Sequence, residues 1–354
     1  MSAILNELDH WRAYFLRFTL AFSPARKIFV SRALRLLFFI SFSLTLNFFL
    51  ALAVPLWLLA IGPLVLGITH LFSSFRFVPQ AITPNKFEQK NLTKLIAMAV
   101  IGVGGLRVLQ LRGFPIPNLL GLLDAWEWGV LFFCFLAMSY FLHRRKSILL
   151  ALIAFSVMAG SVWNAPLITG AALMIGHNFV PFFYWIKFAK TTNERRVGYG
   201  ALVMFTLVHI AFITGLTDSL AQHIRLVNPD FGASFDPLAL AHQLLPTSSS
   251  LALLERGISM FAFGQAVHYF LWIKIIPEEA IRQQVPLSFS QSQKAVLRDL
   301  GLRLSQVALI AALGFIGFAF FFKIGILREI YIAGAAAHGY AELAGLPFLF
   351  ARKI

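Results

Sequence analysis

The sequence predicts an all-α fold: a polytopic transmembrane helical bundle of about ten helices, with an amphipathic interfacial helix at the N-terminus. Hydrophobic residues make up 59% of the 354 residues, charged residues only 13%, and the mean hydropathy is +0.78. A soluble globular protein carries about 25% charged residues. The chain therefore has too few charged side chains for a water-soluble surface, and we expect it to lie in a lipid bilayer.

Apolar segments of suitable length recur along the chain, since a membrane-spanning helix needs about 20 mainly apolar residues. The predicted spans centre on Leu36–Ala53, Leu56–Phe75, Leu95–Leu109, Gly129–Leu142, Ile148–Val162, Leu167–Ile186, Tyr199–Leu216, Leu251–Ile273, Leu304–Phe322 and Ile330–Phe350. We interpret the first two as separate spans rather than as one broken helix with a re-entrant piece. No long linker interrupts the chain, so residues 34–354 are predicted to form one transmembrane bundle.

Basic residues cluster in every second connection between these segments. They lie in the N-terminal segment, in the loop with Arg76, Lys86, Lys90 and Lys94, at Arg144–Lys146, at Lys187–Arg196, at Lys274–Arg303 and in the C-terminal tail. By the positive-inside rule, these loops and both termini face the cytoplasm, as in a bacterial inner membrane protein. Lys323 and Arg328 are exceptions, because this topology places them outside. The net charge of +15 is thus a topology signal, and nucleic acid is not an expected partner.

Residues 1–33 are predicted to be a cytoplasmic amphipathic segment that lies in the membrane interface. Apolar side chains recur there at helical spacing, with polar residues between them; they are Ile4, Leu8, Trp11, Phe15 and Phe18. The segment has no continuous apolar core and no small-residue cleavage site, so it does not resemble a secretory signal. We expect its apolar face to rest on the lipid.

Histidines at membrane depth are the main indication of function. Of nine histidines, five lie inside predicted spans. His209 is predicted to lie near the outer surface with a structural role. The other four are on four different helices that all run from outside to inside: His70, His177, His268 and His338. Counting to the next basic residue places their imidazoles roughly 9–21 Å from the cytoplasmic edge. One shared site is therefore feasible.

Further polar residues accompany these histidines. His338 and Glu342 are four residues apart, so they lie on the same helix face and can address one centre. Gln265 precedes His268 by one turn, Tyr269 follows it, and Asn178 follows His177. We predict four histidine ligands for a metal ion, with Glu342 as a fifth ligand or a base. Tyr269 is a candidate catalytic residue, and Gln265 and Asn178 are candidates for the surrounding cofactor-binding shell.

The residue types limit the choice of metal. The single cysteine, Cys134, excludes a disulfide and any multi-cysteine metal site within one chain. Imidazole and carboxylate ligands suit iron, zinc or copper. An iron centre with open coordination positions could activate dioxygen against a lipophilic substrate from the bilayer. Alternatively, two histidines could hold haem b axially. A histidine inside a helix bundle can also simply form hydrogen bonds with its neighbours.

Three short stretches around the histidines carry a distant family resemblance. They are "THLFSSFRF" at His70, "GHNFVPFFYW" at His177 and "AVHYFLWIKIIP" at His268. In these stretches the chain resembles the bacteriorhodopsin-related (Brp/Blh) family of membrane carotene dioxygenases. The resemblance implies an all-helical membrane fold and a histidine-ligated non-haem iron that cleaves carotene.

Three functional hypotheses follow from the sequence. The first is a membrane oxygenase that uses a histidine-bound metal on a carotenoid, lipid or quinone-like substrate. The second is a haem-binding or quinone-facing electron-transfer subunit. The third is a transporter or scaffold in which the histidines relay protons or join helices. No GxxxxGK[ST] phosphate-binding loop is present, which argues against an ATP-driven machine.

Overall fold

The computed structural model describes residues 2–21, 23–111, 174–226, 250–281 and 286–319, together with a few positions within 149–156 and 331–349. These residues form an all-α fold without any strand, which confirms the all-α part of the prediction. The predicted span Gly129–Leu142, most of Ile148–Val162, Cys134, Lys323 and Arg328 lie outside the described residues.

The helices follow the predicted apolar segments closely. In chain order they are α1 Ser2–Leu20, α2 Ser23–Val30, α3 Arg32–Ala53, α4 Pro55–Gly62, α5 Ile68–Ile82, α6 Lys86–Leu111, α7 Val180–Phe188, α8 Thr192–Thr214, α9 Asp218–Ile224, α10 Leu251–Phe270, α11 Ile276–Ala280, α12 Phe289–Leu300 and α13 Leu302–Ala319. A π-turn at Pro63–Gly67 joins α4 to α5, and another at Leu271–Ile275 joins α10 to α11. The described positions between 331 and 349 are also helical.

Three helices in the described part of the chain are long and apolar enough to cross a membrane. They are Arg32–Ala53, Pro55–Ile82 and Thr192–Thr214. The first two are separated by a break at Val54, as the interpretation of two spans predicts. Local sequence sets the limits of the third. Thr191 and Glu194 form a reciprocal capping box at its start, and Gly215 ends it at φ 77°.

Helix α10 lies at the centre of the described bundle, packed against α3, α4 and α8. Its residues from Gly257 to Gly264 are all buried, so it exposes little surface beyond its first turns. Phe263 of α10 stacks on Phe205 of α8, with 5.3 Å between ring centroids. This central helix carries His268 near its end, and the surrounding helices therefore enclose that residue.

A buried layer of charged residues closes one end of the bundle. The guanidinium of Arg35 donates a hydrogen bond to the Glu278 carboxylate, and Arg32 lies 4.0 Å from Glu279. The indole Nε1 of Trp185 also donates to Glu279, at 3.2 Å. These side chains belong to α3, α7 and α11. The layer therefore holds the start of α3 beside the end of α7 and beside α11.

Glu279 lies beyond the candidate spans and is fully buried. Burial and the nearby Glu194 carboxylate together raise the pKa of Glu279 to about 7, against the lowering effects of Trp185, Arg32 and Lys190. The folded protein therefore holds this proton at pH values where an unfolded chain, with a pKa near 4.5, has lost it. The contribution of Glu279 to stability is greatest in acid and falls as the pH rises through the interval between these two pKa values.

The N-terminal helix packs against α12 and exposes its apolar residues. Asp9 accepts hydrogen bonds from the backbone N–H groups of Phe289 and Ser290, at 2.6 and 3.1 Å, at the start of α12. Hydrogen bonding by Ser290 and Phe289 lowers the pKa of Asp9 to about 2. Ile4, Trp11, Phe15 and Phe18 are each more than half exposed. The amphipathic helix is thus present, and its position in the interface stays a prediction.

We predict that Glu279→Gln flattens the dependence of thermal stability on pH between about pH 5 and 8, because glutamine keeps the buried group neutral without a proton. The variant should melt at a higher temperature than wild type at the alkaline end. Melting of detergent-purified protein across this pH range is the measurement. Equal slopes for variant and wild type would contradict the assignment.

Candidate metal centre

Two irregular helical turns flank the candidate ligands. Pro63 begins the π-turn that ends three residues before His70, and a second π-turn follows His268 at Leu271–Ile275. A proline inside a helix removes a backbone N–H and clashes with the preceding turn, which favours such irregularity. Pro277 lies two residues after the second π-turn, so its ring approaches that turn from the other end. Single π-turns are frequent at functional sites, because they rotate the following side chains.

Four buried side chains from three parts of the chain meet inside the bundle. They are His70 on α5, His268 on α10, and His338 and Glu342 in the C-terminal helical residues. Each offers one ligand atom, and these atoms lie within 4.8 Å of one another. Exposure of these four side chains is 1–4%. The i, i+4 pairing of His338 and Glu342 thus brings both residues to one point, with His338 Nε2 3.6 Å from Glu342 Oε1.

The closest contact in the cluster joins two ring nitrogens. His70 Nε2 lies 2.7 Å from His338 Nε2. His70 Nδ1 lies 2.9 Å from the carbonyl oxygen of Gly67, and His338 Nδ1 contacts the carbonyl oxygen of Ala335. A neutral imidazole has one N–H. If the N–H is on Nδ1 in both rings and donates to these carbonyls, the lone pairs of the two Nε2 atoms face each other. Only a cation or an extra proton between them relieves their repulsion.

Other buried polar atoms in the cluster lack well-formed hydrogen bonds. Neither carboxylate oxygen of Glu342 and neither ring nitrogen of His268 makes a hydrogen bond of ordinary geometry with the described residues. Leaving such groups unpaired in an apolar interior costs free energy, most of all for a charged carboxylate. Three neutral imidazoles and one carboxylate would be compensated by a bound divalent cation.

His177 lies at the edge of the cluster. Its ring centroid is 4.4 Å from that of His268 and 5.3 Å from that of His338, and its Nδ1 is 3.7 Å from Glu342 Oε2. The structure thus brings all four predicted histidines together. However, the group with mutually close ligand atoms comprises three of them and Glu342. The side chain of His177 is 18% exposed, more than those of the other members.

Tyr269 and Gln265 lie beside His70 in a hydrogen-bonded chain. Gln265 Nε2 donates to the Tyr269 hydroxyl at 2.9 Å, and that hydroxyl lies 3.2 Å from the hydroxyl of Tyr331. Tyr331 in turn lies 3.1 Å from His70 Nδ1. Sequence reasoning missed Tyr331. Its position seven residues, or two turns, before His338 was the available signal, because that spacing puts both on one helix face.

Asn178 and His209 both approach Gly264 of α10. Helix geometry is interrupted at Asn178, where a turn precedes α7. A Cβ atom on Gly264 would lie 2.8 Å from Asn178 Nδ2 and 3.1 Å from His209 Nε2, so glycine leaves room for both groups. His209 Nδ1 donates to the Phe205 carbonyl at 2.8 Å, which leaves Nε2 as an acceptor. The predicted structural role of His209 is in keeping with this contact.

The C-terminal residues are held in place by α7. The Tyr184 hydroxyl donates to the backbone carbonyl of Glu342 at 3.0 Å, and Lys187 Nζ donates to that of Leu349 at 3.2 Å. Tyr184 is fully buried. These bonds fix the position of the Glu342 carboxylate relative to the histidines.

Comparison with known proteins gives no relative: no protein-family model, curated protein or solved structure matches the chain. The ligand set of the cluster is therefore the main indication of function. Imidazole and carboxylate together suit zinc, iron and copper in the +2 state.

We predict that Gly264→Ala lowers thermal stability by about 1–3 kcal/mol, because the added methyl group forces Asn178 and His209 apart. Gly200→Ala is the matched control, since a Cβ atom there meets nothing within 4 Å. Thermal melting of the two variants in detergent is the measurement. A Gly264→Ala variant as stable as the control would contradict the close packing around Gly264.

Proposed function

We propose that the protein is an integral membrane metalloprotein that holds one ion between helices through His70, His268, His338 and Glu342. The observation that carries this proposal is the convergence of four buried ligand groups, among which the Glu342 carboxylate and the His268 ring form no hydrogen bond of ordinary geometry with the described residues. Buried charges in proteins are typically paired or bound to metal. His177, the fourth predicted histidine, lies beside these groups and would be an additional ligand.

Non-haem iron is the metal that we propose. Histidine and carboxylate ligands with open positions are the arrangement used by non-haem iron oxygenases. The crowding of the rings favours a single ion over the haem alternative, since the centroids of His70, His268 and His338 are 4.5–6.4 Å apart. Two of these nitrogens are in direct contact, so a macrocycle would have to separate the helices that carry them.

The substrate that we propose is a lipophilic molecule taken from the bilayer, oxidised with dioxygen. His177 is the most exposed member of the cluster, and this side is therefore the entry that the geometry favours. The three histidines that carry the resemblance to the Brp/Blh carotene dioxygenases, His70, His177 and His268, all belong to the cluster. A carotenoid is accordingly the first substrate class to examine.

The roles proposed for the surrounding residues follow from their contacts. Glu342 would neutralise part of the ion's charge or accept a proton from a bound substrate. The Tyr269 and Tyr331 hydroxyls, with Gln265, would set the orientation of the His70 ring through Nδ1. Hydrogen bonds to the second nitrogen of a metal-bound histidine commonly fix its tautomer in this way. Asn178 would position the turn that carries His177.

We further propose a topology of about ten spans with both termini in the cytoplasm, as in a bacterial inner membrane protein. Contacts at the charged end of the bundle support it. Arg32 Nη2 donates to the carbonyl of Ile281 at 2.9 Å, and Lys190 Nζ contacts the same oxygen. The basic segments before α3, before α8 and after α11 therefore meet at one end, as the distribution of basic residues predicts.

Metal analysis of detergent-purified protein tests this function. We expect about one equivalent of non-haem iron in wild type and a loss of affinity of at least about tenfold in Glu342→Gln and His338→Ala, since each removes one ligand. His223→Ala is the control, because His223 is exposed and far from the cluster in sequence. Metal should also raise the melting temperature of wild type but not of the ligand variants.

Each other result points to a different function. A haem absorbance spectrum would support the electron-transfer hypothesis. A second possible result is wild type that folds normally without metal and is not stabilised by added iron, zinc or copper. That result would support the transporter or scaffold hypothesis. Metal bound equally by wild type and Glu342→Gln would contradict the proposed ligand set.

A further inference from the structure

A groove of about 290 Å³ runs between α3 and α8, on a side of the bundle not used by the metal cluster. Each helix contributes one face at three- and four-residue spacing. The lining includes Leu37, Ser41 and Leu44 of α3, and Arg196, Gly200 and Met204 of α8. It is apolar except for Ser41 and Arg196, and it contains no carboxylate.

The groove runs from the end of the bundle into its apolar part. Both helices are candidate spans, and both begin at the charged end where Arg32 meets Glu279. Arg196 lies in the second turn of α8, and Met204 is eight residues further along. At 1.5 Å per residue, the groove covers roughly 12 Å of helix. Its mouth therefore carries a cation, while its length is lined by hydrocarbon.

Arg196 differs from the other arginines around it. Arg195 donates to the carbonyl of Ala189, and Arg32 and Arg35 belong to the buried charged layer. Arg196 is exposed and makes no hydrogen bond or ion pair with the residues that the structure describes. A guanidinium presents a planar set of donors that matches the oxygens of a phosphate. Its position at the mouth leaves this donor set available to a ligand.

We propose that this groove binds one anionic phospholipid, with its phosphate on Arg196 and an acyl chain along Gly200. The Arg196 guanidinium, which has no partner in the described part of the chain, matches the phosphate of that molecule, and the apolar lining matches its acyl chain. A basic membrane face also attracts anionic lipid. Gly200 contributes space, since a Cβ atom there would meet nothing within 4 Å. This lipid site is independent of the proposed metal function. It requires only that the protein lies in a membrane.

Native mass spectrometry of the full-length, detergent-purified protein tests the site, with phosphatidylglycerol and phosphatidylcholine as probes. Arg196→Gln removes the phosphate contact, and Arg303→Gln is its control, because Arg303 is an exposed arginine outside the groove. Gly200→Leu fills the groove. Gly105→Leu is its control, because a side chain there also meets nothing within 4 Å.

We expect wild type to bind one phosphatidylglycerol in preference to phosphatidylcholine. Arg196→Gln should bind phosphatidylglycerol about fivefold more weakly, Gly200→Leu should bind both lipids more weakly, and both controls should behave as wild type. Equal effects of Arg196→Gln and Arg303→Gln, equal effects of the two leucine variants, or occupation by detergent alone would overturn the proposal. The metal content of the same samples should stay at the wild-type value, so failure of the lipid site and failure of the metal site are distinguishable.

Discussion

The contact between His70 Nε2 and His338 Nε2 is the constraint on which the candidate site depends. The two nitrogens lie 2.7 Å apart in the bundle interior, beside a buried carboxylate that makes no hydrogen bond of ordinary geometry with the described residues. Apolar surroundings strengthen electrostatic interactions and make uncompensated ones expensive. A cation at this point would bind the Nε2 atoms of His70 and His338, the Glu342 carboxylate and one ring nitrogen of His268, and would so compensate the buried charge and lone pairs.

The rest of the fold brings the donors to that point from distant parts of the chain. His70 and His338 are 268 positions apart, so only tertiary packing can join them. The π-turns next to His70 and His268 set the rotation of these helices. Tyr184 holds the backbone of Glu342, and the charged layer around Glu279 holds three helix ends together. The candidate centre thus depends on polar contacts beyond its own side chains.

Much of this arrangement could be predicted from the sequence, and the reason is physical. Under the predicted topology, loop charges give the direction of each helix, and direction with helical rise gives a predicted depth for each histidine. These predicted depths grouped His70, His177, His268 and His338, and the i, i+4 rule added Glu342. Depth and helix face do not determine which helices are neighbours, however. The placement of His177 at the edge, the contact of Tyr331 with His70 and the approach of Asn178 and His209 to Gly264 therefore required the three-dimensional structure.

X-ray absorption spectroscopy on the purified, full-length protein tests the central claim most directly, because it identifies the metal and its ligand atoms together. The account predicts an iron edge and a first shell of nitrogen and oxygen at roughly 2.0–2.2 Å, with the outer-shell scattering of imidazole rings. The absence of any bound metal, a shell containing sulfur, or the scattering pattern of a porphyrin would contradict it.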